Sequence, residues 1–151
     1  LDDLLQEVVR IVDISAKSKK IRIITRCAPQ LNVHAEENML KTVFRNLLSN
    51  AIKFTHENGT VEIECTESDK TIEIAVRDDG VGMDQKKVAT LLNSASNNST
   101  RGTDNEKGTG LGLVICKDFI EKHKGKIWVE SQLNIGTTFY IQLPVIDTEI
   151  F

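Results

Sequence analysis

The chain has 151 residues, 40% of them hydrophobic, and a formal net charge of −3 at pH 7. This length suits a single globular domain over residues 1–151, which would bury about two-thirds of the surface that its unfolded chain exposes. No apolar run reaches the roughly 18 residues needed to span a bilayer, and the weak acidic charge argues against a nucleic-acid partner. Cys27, Cys65 and Cys116 lack metal-site spacing, which predicts reduced thiols in a cytoplasmic protein.

The first half of the chain reads as helix, strand, helix. Apolar residues recur every three or four positions from Leu1, which predicts an amphipathic helix ending near Ser18. Because this pattern begins without an initiator methionine, we expect the chain to be a piece of a longer protein. Alternation over 21–27 predicts a half-buried strand. A second helix is expected from about Glu36, with the sequence ENG at 57–59 ending it.

The second half reads as a hairpin, a long loop and a closing helix with two strands. Segments 59–68 and 71–78 alternate on either side of a polar turn and predict the hairpin. A short helix near 86–92 precedes the segment 93–110, whose Ser, Asn, Thr and Gly content predicts a functional loop such as a lid. A helix to Lys122 and strands over 126–131 and 137–144 follow. These elements predict a mixed sheet covered on one face by helices.

Two asparagines stand in the middle of the second predicted helix. Asn46, Asn50 and Lys53 are spaced by four and three residues, so they share one helix face. Asparagine is a modest helix former, and a ligand role would explain its use here. An amide oxygen is a hard, uncharged ligand for Mg²⁺, and Lys53 would suit a phosphate. The alternative is that the asparagines are surface polar residues of an amphipathic helix.

The turn DDGVGM at 78–83 follows a predicted strand. A carboxylate there, on Asp78, can accept a hydrogen bond from the amino group of adenine. Gly80 and Gly82 would let the backbone approach a flat base. The alternative is an ordinary turn in which Asp79 is solvated. The ligand pattern of an EF-hand is absent, so calcium binding is not expected.

The glycine-rich segment GTGLGL at 108–113 matches neither of two common nucleotide motifs. The Rossmann fingerprint needs a strand directly before the glycines, and a Walker loop needs a terminal Gly-Lys-Ser/Thr. The segment instead leads into a helix N-terminus, where free amides and the helix dipole favour phosphate oxygens. With Arg101 and Lys107 in the preceding loop, it predicts a phosphate clamp that orders when nucleotide binds.

Four motifs together carry a family resemblance: NLLSNAIKFT at 46–55, DDGVGM at 78–83, GTGLGL at 108–113 and GTTF at 136–139. They resemble the N box and glycine boxes of the ATP-binding catalytic domain of bacterial sensor histidine kinases. The superfamily also includes gyrase, the MutL repair proteins and a heat-shock chaperone. The resemblance covers about the whole chain and implies the Bergerat fold, an α/β two-layer sandwich. In that fold a mixed, mostly antiparallel five-stranded sheet carries three main helices on one face, and a flexible ATP lid corresponds to about 93–110.

The resemblance also implies roles for individual residues, with ATP and Mg²⁺ as the cofactors. Asn50 corresponds to the magnesium ligand, and Asn46, Asn50 and Lys53 form the catalytic set. Asp78 corresponds to the adenine-reading acid, and Thr137 supports it. The implied ATP-binding residues are Asn46, Asn50, Lys53, Phe54, Asp78, Gly80, Val81, Gly82, Met83, Arg101, Lys107, Gly108, Thr109, Gly110, Leu111, Gly112, Leu113 and Thr137. One departure is that the phenylalanine-containing box usual before the lid is represented only by VATLL at 88–92.

Within the superfamily, the residue at the position of Asn46 distinguishes members that hydrolyse ATP from members that transfer its phosphoryl group. Hydrolytic members of the superfamily carry glutamate at its position, because attack by water benefits from a base. A neutral imidazole already has its attacking lone pair, so an amide suits transfer to histidine. His34, His56 and His123 lack the sequence pattern of a phosphoacceptor, which predicts structural or solvated roles for them.

The resemblance therefore implies a kinase domain that phosphorylates a histidine in another part of its parent protein. The expected partners are the dimerisation and phosphoacceptor helical domain of that parent and a downstream response regulator. We expect a monomeric fragment in the cytoplasm, whether or not the parent is anchored in the inner membrane. Two alternatives stay open: a serine-directed kinase or ATPase of the same superfamily, and a non-catalytic nucleotide-binding module.

Overall fold

A computed structural model of the chain describes residues 1–92, 102–103 and 112–145. These residues form a five-stranded sheet with its main helices packed on one face. The helices are α1 (Asp2–Ser18), α2 (Glu37–Phe54), α3 (Gln85–Thr90) and α4 (Gly112–Lys122). The strands are β1 (Arg22–Arg26), β2 (Thr60–Glu67), β3 (Thr71–Asp78), β4 (Lys126–Gln132) and β5 (Gly136–Pro144).

The strand order β1-β2-β3-β5-β4 confirms the predicted mixed, mostly antiparallel sheet. Strands β1 and β2 are parallel because α2 forms the crossover between them, whereas every other neighbouring pair is antiparallel. The predicted hairpin of β2 and β3 closes where the Ser68 amide donates to the Thr71 carbonyl at 2.8 Å. This topology brings the end of β3 between β2 and β5, at the middle of the sheet.

Helix α2 lies at the centre of the core and contacts α1, α4, β2 and β3. It begins as predicted, because the Glu36 carboxylate accepts hydrogen bonds from the amides of Asn38 (3.2 Å) and Met39 (2.6 Å). It ends at Phe54, three residues before the predicted stop. The side chains that it buries recur with helical spacing: Leu40, Val43, Phe44, Leu47, Leu48, Ala51 and Ile52. Burial of this stripe fixes which face of α2 is left for other contacts.

The strands bury alternate residues under the helices, as a half-covered sheet should. The buried members are Val61, Ile63, Ile72, Ile74, Val76, Phe139, Ile141 and Leu143. On the opposite face, Trp128 and Tyr140 stack with their ring centroids 5.2 Å apart. Most of the predicted lid, 93–101 and 104–110, lies outside the described residues. Within the described part of the chain, no helix combines the length and apolar character needed to cross a membrane.

The prediction of three reduced thiols is wrong at two positions, because Cys27 and Cys65 form a disulfide with their Cα atoms 4.7 Å apart. The two cysteines are 38 residues apart in the sequence, so their spacing alone did not indicate that they pair. Strands β1 and β2 are parallel and Arg26 pairs with Glu64. The residues that follow these two, Cys27 and Cys65, therefore lie side by side. Cys116 is free and buried in α4, and burial raises the pKa of its thiol to about 12. Cysteine spacing therefore gives no support for a reducing compartment.

Candidate functional site

Asp78 ends β3 as a buried carboxylate with only 7% of its surface exposed. It pairs with Val61 of β2 on one side and with Thr137 of β5 on the other. Its Oδ1 accepts a hydrogen bond from the Gly80 amide at 2.9 Å. Burial raises the pKa of Asp78 to about 6, although hydrogen bonds from the Gly80 and Thr137 backbone oppose the shift. The site therefore holds a desolvated acceptor at the middle of the sheet.

The turn after Asp78 is held between two other parts of the chain. The Val81 amide donates to the Phe54 carbonyl at the end of α2 (3.0 Å), and the Val81 carbonyl accepts from the Asn134 amide between β4 and β5 (2.7 Å). A Cβ on Gly80 would overlap the Phe54 carbonyl. Gly82 has a φ of +67°, and a Cβ there would overlap the Gln132 carbonyl. Both glycines are thus required by close backbone contacts within the protein, in addition to any contact with a base.

Ser131 joins this turn to Thr137 and was not predicted from the sequence. Its Oγ accepts from the Met83 amide (2.8 Å), donates to the Gly136 carbonyl (3.1 Å) and lies 2.7 Å from the Thr137 Oγ1. Thr137 is 8% exposed and stands beside Asp78. Ser131 occupies an ordinary alternating position in β4, so only the β4–β5 register, which places it opposite Thr137, reveals its role.

The predicted amide face of α2 forms as expected on a regular helix. Asn46, Asn50 and Lys53 are each partly exposed on successive turns. The Lys53 ammonium lies 5.0 Å from the centre of the Phe54 ring. Phe54 is also the residue whose carbonyl holds the Val81 amide, so α2 brings the lysine and the acidic turn to the same helix end.

Asn46 points towards α4. A Cβ on Gly112, the first residue of α4, would lie 3.2 Å from the Asn46 Oδ1, and a hydrogen bond from Asn46 opposes the rise in the pKa of Cys116. Leu113 packs against the core beside this contact. The structure therefore places Asn46, Gly112 and Leu113 together where α4 begins.

The remaining predicted phosphate-contacting residues lie outside the described part of the chain. They are Arg101, Lys107, Gly108, Thr109, Gly110 and Leu111. Their roles remain predictions from the sequence.

Two other side chains have roles within the fold. The His123 Nε2 accepts from the Glu36 amide (2.9 Å), and its Nδ1 lies 2.7 Å from the Phe119 carbonyl, in keeping with the structural role predicted for it. Asp79 is bound rather than merely solvated, because its Oδ1 accepts from the Thr60 amide at 3.0 Å. His34 and His56 are exposed.

Comparison with solved structures shows the same fold in the histidine kinase ThkA and in ShkA. The nucleotide-free catalytic domain of histidine kinase ThkA superposes with a TM-score of 0.82 at 29% identity, over 95% of this chain and 93% of that one. Full-length ShkA in complex with AMPPNP gives 0.81 at 27% identity, over 96% of this chain and 30% of that one. ThkA in complex with the response regulator TrrA gives 0.77 at 27% identity, over 97% and 40%. The expected Bergerat fold is confirmed.

Comparison of sequences gives the same family. Residues 35–147 match the family model described as histidine kinase-, DNA gyrase B- and HSP90-like ATPase. Sporulation kinase A of Bacillus subtilis is 35% identical over 95% of this chain, which spans 23% of that protein. Cyanobacterial phytochrome A of a Nostoc species is 41% identical over 78% of this chain, which spans 15% of that protein. The chain therefore belongs to the histidine kinase-, gyrase B- and HSP90-like ATPase family, as a catalytic domain of the sensor histidine kinase type.

Proposed function

We propose that this domain binds Mg-ATP and transfers the γ-phosphoryl group to a histidine on a separate helical domain of its parent protein. The observation that carries the proposal is the buried Asp78 carboxylate at one end of α2, next to a helix face with Asn46, Asn50 and Lys53. In this proposal the adenine-binding acceptor and the phosphate-binding face meet at the end of α2, where the Phe54 carbonyl accepts from the Val81 amide. Serine phosphorylation and binding without turnover are the competing functions.

The part of the proposed site around Asp78 suits a hydrogen-bond donor that lies in the plane of the adenine base. The ionised Asp78 carboxylate has acceptor positions beyond the one that Gly80 occupies, and the amino group of adenine is a suitable donor. The neighbouring Thr137 hydroxyl hydrogen bonds with Ser131, which fixes its position. A buried ionic acceptor is costly without a partner, so a hydrogen-bond donor on the ligand would offset part of that cost.

The phosphate end combines an amide with a cation. The Asn50 amide oxygen is a hard donor of the kind that Mg²⁺ accepts, and Mg²⁺ normally takes few protein ligands together with phosphates and water. When bound, the ion would neutralise charge on the phosphates. Lys53 adds a point charge one turn further along α2. Catalysis in this proposal is positioning with charge neutralisation, to which Arg101 and Lys107 would contribute.

Asn46 favours transfer over hydrolysis in this proposal. Its amide is neutral and lies against Gly112 and Cys116 of α4, so it offers no base for activating water. A neutral histidine needs no such base. We place the acceptor histidine on the dimerisation and phosphoacceptor helical domain, and a response regulator after it, in the cytoplasm where ATP is available. The complex of the histidine kinase ThkA with a response regulator supports a response regulator as a partner.

Phosphotransfer in trans tests the proposal directly. The domain is mixed with a helical acceptor domain of the parent protein and γ-labelled ATP, and the labelled product is treated with acid and with alkali. We expect acid-labile, alkali-stable label on histidine, because phosphohistidine has those stabilities. Label on serine would support the serine kinase instead. Tight nucleotide binding without label would support the non-catalytic module.

Removing the Asp78 carboxylate should abolish recognition of adenine. For Asp78→Ala we expect the Kd for ATP, measured by calorimetry, to rise roughly 10- to 150-fold, the range expected for a lost hydrogen bond to a charged group. Asp69→Ala, in the exposed β2–β3 turn, is the matched control and should bind as the unmodified domain does. Unchanged affinity in Asp78→Ala would refute the assignment of the base site.

Removing the Asn50 amide should uncouple binding from magnesium. Calorimetry with and without Mg²⁺ should show a metal-dependent gain in ATP affinity in the unmodified domain and little gain in Asn50→Ala. The control Asn38→Ala lies on the exposed first turn of the same helix and should keep the gain. A full magnesium effect in Asn50→Ala would show that another residue is the ligand.

The raised pKa of Asp78 should make the stability of the ligand-free domain depend on pH. The folded-state pKa of about 6 exceeds the ordinary 3.8, so the stabilising contribution is fully present below pH 3.8 and is lost as the pH rises through about 6. The loss should be roughly 2–3 kcal/mol. Urea unfolding between pH 4.5 and 8 should show Asp78→Asn lacking this decline and exceeding the unmodified domain in stability at pH 8. An equal decline in Asp78→Asn would assign it to other groups.

A further inference from the structure

The C-terminal end of α2 is bound by three segments that are distant in sequence. The last carbonyls of a helix have no partner within it and need outside donors. Here the Phe54 carbonyl accepts from Val81, and the Lys53 carbonyl accepts from the Thr103 amide at 3.0 Å. The Thr103 Oγ1 also donates to the Thr55 carbonyl at 2.9 Å. The third segment is Lys19, directly after α1.

Lys19 places its ammonium among the acceptors at this helix end. Its Nζ donates to the carbonyls of Ile52 (2.9 Å) and Lys53 (3.1 Å) and to the Thr103 Oγ1 (2.6 Å). The residue is only 7% exposed, and lysine is rarely buried without such partners. The negative end of the α2 dipole favours a cation at this position. The ammonium therefore joins α1, α2 and Thr103 at one point.

The backbone around Lys19 is also held by hydrogen bonds. The Lys20 and Ile21 amides donate back to Lys17 and Ala16, which ends α1 sharply, and Lys20 has a φ of +56°. The Lys19 carbonyl accepts from the Asn58 amide at 3.2 Å, in the connection between α2 and β2. The side chain of Lys19 thus contacts the end of α2, and its main chain contacts the connection that follows α2.

We infer that Lys19 is a positioning residue for the nucleotide site. It holds Thr103 against the end of α2, beside the Lys53 carbonyl and next to Phe54, whose carbonyl accepts from Val81. Its effect on nucleotide rests on the function proposed above, whereas its hold on Thr103 does not. Lys19 has no assigned place among the family motifs of this sequence. Through Lys19, α1 joins the elements that set the geometry of the site.

Amide hydrogen exchange and nucleotide affinity together test this role. In Lys19→Met, without nucleotide, we expect exchange at the Thr103 amide to accelerate at least ~tenfold, the factor for a lost hydrogen bond to a charged group. Exchange at the Val81 amide, which has a different donor–acceptor pair at the same helix end, should change little. The Kd for Mg-ATP should rise about tenfold. Lys20→Met, next in sequence, exposed and paired with Glu57, should change none of these values.

Two further variants, Thr103→Val and Lys19→Arg, keep the inference testable if Lys19→Met does not fold. Thr103→Val keeps the size of the side chain but removes the hydroxyl, so it should weaken Mg-ATP binding, and Lys19→Met should add little in that background. Lys19→Arg retains the charge and should restore part of the affinity. Unchanged exchange at Thr103 in Lys19→Met would overturn the inference, as would accelerated exchange with unchanged affinity. If the unmodified domain binds no nucleotide, the proposed function fails, while exchange still decides whether Lys19 holds Thr103.

Discussion

Backbone carbonyls at the C-terminal end of α2 require hydrogen-bond donors from outside the helix, and the candidate site is built around that requirement. The buried stripe of α2 fixes the helix in the core, so its end has a defined position. Val81 satisfies the Phe54 carbonyl and in turn accepts from Asn134. One short series of backbone hydrogen bonds thus connects the central helix, the acidic turn and the β4–β5 connection. These hydrogen bonds lie within the protein, so the turn after Asp78 is held to α2 and to the β4–β5 connection without a ligand.

The same close packing explains the chemistry of Asp78. Gly80 and Gly136 bring backbone so near that a Cβ on either would overlap a carbonyl, that of Phe54 or of Asp78 itself. Asp78 is only 7% exposed in this packing, and burial raises the pKa of its carboxyl group. The ligand-free domain therefore keeps a carboxylate where ionisation is unfavourable.

Asn46, a residue of the predicted site, also has a part in the packing of the fold. Its amide lies at the junction of α2 and α4, against Gly112 and near Cys116. A larger residue at 112 would press on that amide, so the glycine at the start of α4 and the asparagine on α2 constrain each other. This contact fixes the position of the start of α4 relative to the face of α2 that carries Asn50.

The sequence by itself determined the elements and most of the motif positions. Helical and alternating periodicity predicted α1, the start of α2, the hairpin and the closing strands, because periodicity records which side of each element is buried. The motifs predicted Asp78, Thr137 and the amide face of α2, which the fold brings to one region. Only the tertiary structure decided the partners of Cys27, Ser131 and Lys19. Those contacts depend on strand register and on helix ends that meet across long stretches of chain, and local pattern carries no information about either.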